Sequence, residues 1–323
     1  MDSFLIGLLS ALVGTNQPVA ISNFVARTTG VSVTVTNPND PVEKEYQKLL
    51  ETDDAAQEEV DKWIRDETAF REKGAGLPDA TLRARIEQRF KSVRDAYEGF
   101  LRQHPDHARA HLAYGSFLME THEEEEAVNQ MEKARDLDPK NPAAWNNLAN
   151  YYGHRSPVKK AFEYYAKAIE LNPNESVYYQ NLATTVFLFR PDAMEFYKID
   201  EPQVFDKALD LYRKAMKFDP DNFVLASDYA QTYYGIRPMR TGDAIAAWES
   251  ALKIAPDAKE REGVYIHLAR IKLNAERFDE VRQHLNSVTN EMYAPLKNRL
   301  LRNLERQENE SKGTNAPAAT EKK

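Results

Sequence analysis

Large and small residues recur along this chain with a period that forces one kind of packing. In the 34 residues from Pro142 to Glu175, Trp145, Leu148, Ala149, Tyr152, Ala161, Tyr165, Ala168 and Pro173 fall at positions 4, 7, 8, 11, 20, 24, 27 and 32. Small side chains at positions 8 and 20 let two helices approach closely, and the large ones fill the space around that contact. The proline at position 32 stops the second helix. A single helix pair cannot bury both of its faces, so it needs neighbours built the same way.

Those neighbours are present. Upstream, Ala108 to Asn141 is an ungapped unit with Gly115, Ala127, Met131, Ala134 and Pro139 in register. Downstream, Ser176 to Asn222 keeps Tyr179, Leu182, Ala183, Ala208, Tyr212, Ala215 and Pro220 but spans 47 residues, about 13 more than the unit length, inserted near Phe189 to Gln203. Met194 to Asp200 within that insertion is more apolar than a free loop requires, which predicts either folding back or a partner contact. Phe223 to Ala258 carries Tyr229, Ala230, Tyr233, Ala244, Trp248, Ala251 and Pro256, and a fifth unit from about Glu262 to Pro295 carries Tyr265, Leu268, Ala269, Val281, Leu285 and Val288. The pattern resembles the tetratricopeptide repeat (TPR) over roughly residues 108–295. That resemblance implies an all-α fold, a right-handed α-solenoid of TPR helix pairs, with units 108–141, 142–175, 176–222, 223–258 and 259–295.

Residues 41–107 read as a helical hairpin that caps the array. Val42, Tyr46, Leu49, Ala56, Val60, Trp63 and Phe70 step by fours and threes, interrupted by Asp53 and Glu67, with a bend expected near Asp53-Asp54. Leu82, Ile86, Phe90, Val93, Tyr97 and Phe100 line a second helix, and Pro105 lies one repeat length before Pro139, so this helix takes the place of a repeat's second helix. Leu296, Leu300, Leu301 and Leu304 mark a closing helix over 296–308, and 309–323 has the composition of a disordered tail.

Residues 1–40 are expected to be an apolar segment and an extended linker. Phe4 to Val13 is apolar, but Met1-Asp2 brings no Lys or Arg, no clean cleavage site follows, and the run is too short to span a bilayer. An uncleaved packing or docking helix is favoured over a signal peptide or surface anchor, and a soluble cytoplasmic chain over an exported or membrane-associated one. Residues 1–28 are the only place where membrane contact is expected. Val31 to Thr36 alternates apolar and polar like a strand, so residues 1–40 are also where self-association would arise.

The formal net charge of −8 argues against a nucleic-acid partner, and the absence of cysteine removes disulfides, thiolate nucleophiles and Cys-ligated metals. No phosphate-cradling glycine loop, G-x-S-x-G or H-E-x-x-H occurs, so neither cofactor nor catalysis is expected. His104, His107 and His111 are close in sequence but read as structural, and Glu123 to Glu126 reads as a helix start rather than an acidic site. Arg155, Arg190 and Arg237 each neighbour a helix-ending turn; locally they complement carbonyl ends, and stacking of units would instead align them as a basic edge.

The resemblance implies a concave face lined by the first helix of each pair, where TPR proteins generally bind peptides. On this chain that mapping selects Asn146, Asn147 and Asn150; Gln180, Asn181, Thr184 and Phe187; and Gln231 and Tyr234. Amides offer donors and acceptors to any extended backbone. The basic residues of the family's chaperone-tail binders are replaced by Leu112, Ser116, Val177 and Asn181. The expected function is therefore a non-catalytic scaffold or adaptor that binds an extended peptide or a partner helix in the concave groove, the alternative being a structural protein that self-associates or attaches to a membrane through its N-terminal segment.

Overall fold

The computed structural model describes residues 40–153, 155 and 158–314. Among the described residues there are fourteen α-helices and no strand, so the all-α class expected from the repeats is the one found. The chain divides into two compact units, Met1–Pro173 and Asn174–Lys323. The apolar run 4–13 and the alternating stretch 31–36 lie outside the described residues. No described helix is long and apolar enough to cross a membrane.

The first unit contains α1 (Pro41–Glu72), α2 (Asp79–Gln103), α3 (Ala108–Glu120), α4 (Glu124–Leu137), α5 (Pro142–Gly153) and α6 (Lys159–Leu171). Helix α1 starts where Asp40 accepts a hydrogen bond from the Val42 backbone at 2.9 Å, with Pro41 in the first turn. It is a single helix through Asp53-Asp54, and both interruptions of its apolar seam find partners. Asp53 accepts from Tyr97 Oη at 2.6 Å, and Glu67 accepts from the Leu77 backbone at 2.7 Å and from Arg71 at 3.0 Å.

Side by side with α3, α1 donates from Tyr46 Oη to the Arg109 carbonyl at 3.2 Å and from Gln57 to Glu120 at 2.6 Å. It thus takes the place of a pair's first helix. Helices α3 and α4 touch at Gly115, where a Cβ would come within 2.7 Å of Met131 Cγ and 3.0 Å of the Ala127 carbonyl. Ala149 and Ala161 play that part in the next pair, both fully buried.

The second unit contains α7 (Ser176–Leu188), α8 (Arg190–Tyr197), α9 (Glu201–Phe218), α10 (Phe223–Thr232), α11 (Thr241–Lys253), α12 (Ala258–Asn274), α13 (Phe278–Asn286) and α14 (Ala294–Thr314). Short 3₁₀ turns lie at Tyr233–Gly235 and Glu291–Tyr293. The insertion is largely a helix rather than a loop. Pro191 sits in the first turn of α8, Lys198 leaves it in the left-handed region at φ 55°, and Asp200 and Gln203 close a reciprocal cap on α9 at 2.9 and 3.0 Å. It folds back, with Ala193 buried and Lys207 Nζ 4.0 Å from the centre of the Tyr197 ring.

At the other end α14 continues to Thr314, past the boundary at 308 read from composition. Leu300 and Leu304 pack with Val281, Leu285 and Val288, and Arg282 pairs with Glu308. The helix is anchored at Glu308, and the last six residues, nearly two turns, propagate from that anchor. Residues 315–323 lie outside the described residues.

Candidate functional site

The first helices of the pairs carry the residues selected from the sequence, but their surroundings differ between the units. In the first unit Asn146 and Asn147 are buried, at 0% and 4% exposure, rather than lining an open groove. Asn146 donates to Asn147 Oδ1 at 3.3 Å, Asn147 donates to Ser116 at 3.2 Å, and Asn150 accepts from Tyr165 Oη at 2.7 Å. Asn147 and Asn150 act as internal struts between helices, and Asn146 orients Asn147 along α5, since a buried amide left unpaired would cost more than the bond returns.

In the second unit the polar side chains of α7 meet those of α10, and the turn that follows α10 meets α12. Gln180 on α7 donates to Asp228 on α10 at 3.0 Å, and Thr184 lies 2.8 Å from Tyr212 Oη. Tyr234 Oη lies 3.0 Å from His267 Nδ1 on α12, and the Arg270 guanidinium lies 4.7 Å from the centre of the Tyr234 ring. Phe187 packs on Phe205 with centroids 6.1 Å apart, against Gly235. Asn181 is half-buried. Beside these fixed groups, Val224 is 58% exposed and Gln231 and Arg270 are exposed. Among the described residues no carboxylate lies within ion-pairing distance of Arg270.

Burial controls the protonation states here. It raises the Asp228 carboxyl, against the hydrogen bond from Gln180 that lowers it. It pushes Tyr234 up to about 12, partly offset by Arg270, and His267 down to about 4, with Arg270 adding to the depression. At neutral pH, Tyr234 and His267 are therefore neutral, and their mutual hydrogen bond sits beside a permanent cation at Arg270. The face combines fixed polar groups, one exposed valine and one cation.

His267 and Arg270 were not among the residues chosen from the sequence. They occupy, in the unit starting at Glu262, the register positions that Asn147 and Asn150 occupy in the unit starting at Pro142. Carrying the register into the fifth unit would have found both.

The three arginines stay local. Arg155 pairs with Glu124 on α4 and lies over Tyr151, centroid distance 4.9 Å. Arg190 donates to the Phe187 carbonyl at 2.8 Å and pairs with Glu201 at 3.2 Å, and Arg237 donates to the Tyr234 and Ile236 carbonyls at 2.8 and 2.9 Å. Arg190 and Arg237 cap carbonyl ends, and Arg155 bridges two helices of its own unit.

The histidines separate likewise. His107 caps α3 through Nδ1 at 3.0 Å, His111 lies between Gln130 and the Pro105 carbonyl at 2.6 and 2.9 Å, and His104 faces Glu45 at 3.2 Å. No group of acidic or histidine side chains suited to a metal occurs among the described residues. The acidic run opens α4 with Glu123 at its cap, paired with Arg94.

Tetratricopeptide-repeat family profiles match residues 84–152 and 142–175. The chain is a TPR protein. No curated protein matches it. Among solved structures, the C-terminal part of a TPR repeat-containing protein from Cytophaga hutchinsonii is similar at 12% identity and TM-score 0.52, covering 79% of this chain and 98% of that one. PilW, a widely conserved type IV pilus biogenesis factor, is similar at 14% identity and TM-score 0.51, covering 67% and 92%. MamA is similar at 21% identity with a TM-score of 0.42, covering 55% and 95%. At 12% and 14% identity, the likeness to the Cytophaga protein and to PilW is one of fold alone.

Proposed function

We propose that this TPR protein, an interaction scaffold, holds an extended peptide on the face of α7, α10 and α12 in its second unit, without catalysing a reaction. The observation that carries this reading is the exposed Val224 beside Gln231 and a set of polar side chains already oriented by one another, Gln180 with Asp228 and Tyr234 with His267. Groups fixed before binding lose little entropy when a ligand arrives, so each contact contributes more of its intrinsic strength. Gln231 supplies both a donor and an acceptor for a peptide backbone, Val224 and Tyr234 supply apolar contact, and Phe187, Thr184 and Asn181 continue the same face. In the first unit, Asn147 and Asn150 bond to neighbouring helices and Asn146 bonds to Asn147, and the proposed site excludes them.

The test is selection of phage-displayed random peptides on the full chain, followed by calorimetry with the best binder. Gln231→Ala combined with Tyr234→Ala should weaken binding by about tenfold or more, corresponding to ~1.4 kcal/mol or more. Arg155→Ala should leave it unchanged. Equal affinity for wild type and the double variant would remove the face from consideration.

A further inference from the structure

Beyond peptide binding, the hairpin of α1 and α2 carries a second surface. The apolar seam of this hairpin continues further than the helices that cover it. On α1, Tyr46, Leu49, Ala56 and Val60 are buried, but Trp63 is only half-buried and Phe70 is 56% exposed. On α2, Phe100, Tyr97 and Val93 are buried, Leu82 and Ile86 half-buried, and Leu77 in the connecting turn is 44% exposed.

The cause is length. Helix α1 has 32 residues and α2 has 25, whereas α3 has 13 and α4 has 14. The end of α3 is marked by Glu120 meeting Gln57, and the start of α4 by Glu123 meeting Arg94. Phe90 still reaches Phe117 edge-on at 5.7 Å. Past these points, among the described residues, α1 and α2 run on as two helices alone, about 20 Å by the rise per residue. A shallow cleft of about 370 Å³ opens there, with Trp63, Phe70, Leu77 and Leu82 among its lining residues.

We infer that this overhang is a docking surface for a second copy of the chain. Two helices with one shared apolar stripe form half of a four-helix bundle, and an antiparallel pair of overhangs supplies the other half through a self-complementary two-fold contact. In that arrangement the Phe70 and Leu77 tip of each copy covers the Trp63 and Ile86 section of the other. Charge favours this occupant. The stretch from Glu58 to Lys91 carries eight acidic and eight basic residues, within a chain of net charge −8. The overhang is electrically neutral while the rest of the chain holds the excess negative charge. Two copies therefore meet where they do not repel, and a strongly charged partner gains little there.

Light scattering on the full chain over a range of micromolar concentrations tests the proposal. The wild type should approach twice the chain mass, and Phe70→Glu combined with Leu77→Glu should return it to the single-chain mass. Both side chains already face water, so the fold should survive, which thermal melting by circular dichroism confirms. Leu137→Glu, at an apolar position on α4 that is 37% exposed, should remain dimeric. Because the chain has no cysteine, Ala84→Cys gives a single cross-linking handle on the overhang, and a bismaleimide should join two copies through it but not through Ser250→Cys. A wild type that stays at single mass at every concentration overturns the proposal. So does a dimer that persists in the double glutamate variant, which would place self-association elsewhere in the chain. A monomer that sediments with anionic lipid vesicles would assign the tip to a membrane surface instead.

Discussion

Tyr97 Oη donates to Asp53 Oδ2 at 2.6 Å, joining the carboxylate that interrupts the seam of α1 to a fully buried tyrosine of α2. Burial pushes the Asp53 carboxyl up to about 6, with the Tyr97 hydrogen bond opposing the rise. The unfolded value is about 3.9, so the neutral acid is the form that folding favours. Its stabilising contribution is complete below pH about 4 and is lost as pH rises through about 6. Asp53→Asn keeps an acceptor for Tyr97 and removes the charge. It should exceed wild type by about 3 kcal/mol at alkaline pH and match it at pH about 4, by urea denaturation. A variant less stable than wild type at alkaline pH would contradict this.

The parts of the fold that could be read from sequence are those written as local periodicity. Gly115, Ala149, Ala161 and Ala183 announce helix contacts because only small residues fit there, and Pro173 and Pro220 announce where second helices end. Asp53 and Glu67 looked like defects in a seam because their partners lie 44 and 10 residues away and belong to another helix and a turn. Asn146 and Asn147 carried the same ambiguity: an amide suits a groove or a buried strut equally well, and only Ser116 at 3.2 Å decides for the strut. Helix α8 was hidden because a helix of 8 residues is too short to show a period.

The close approach at Gly115 makes a second expectation. A methyl group there would lie 3.0 Å from the Ala127 carbonyl oxygen, which is backbone, and 2.7 Å from Met131 Cγ, which can rotate away. Gly115→Ala gains helix propensity of up to about 1 kcal/mol but forces α3 from α4. The net should be a loss of about 1 kcal/mol by urea denaturation, growing to about 3 kcal/mol for Gly115→Val. Gly242, where nothing lies within 4 Å of an added methyl, should gain stability on the same change to alanine.

Lys272 is 3% exposed, yet its ammonium reaches Glu280 at 2.9 Å, His284 Nε2 at 3.1 Å and Glu249 at 3.4 Å. The lysine is the buried member, while its carboxylate partners reach solvent. Removing the partners therefore strands a charge, whereas removing the lysine strands none. Glu249→Gln combined with Glu280→Gln should cost about 2 kcal/mol, while Lys272→Met, similar in volume, should lie within about 1 kcal/mol of wild type. The same contacts with Lys272 and Arg277 hold the Glu280 carboxyl down at about 2, so the network should persist to acid pH. Chemical denaturation of the two variants checks the asymmetry, and equal losses would show that lysine packing, not charge, dominates.

His267 lies flat on Trp248, centroids 4.0 Å apart and planes 6° from parallel, with Nδ1 facing Tyr234 Oη. Burial, reinforced by the Arg270 cation, holds its pKa down at about 4. An unfolded histidine titrates near 6.5, so folding favours the neutral ring, and the unfolded chain binds the extra proton as pH falls. The stabilisation is complete above pH about 6.5 and disappears as pH drops through about 4. His267→Phe keeps the stack on Trp248 without a titrating group, so wild type should lose on the order of 3 kcal/mol more than this variant between neutral pH and pH about 4. Nuclear magnetic resonance of the ring protons should place the midpoint near pH 4. A midpoint near 6.5 would mean that the ring is solvated and that the Tyr234 pair, with the binding face built around it, opens in solution.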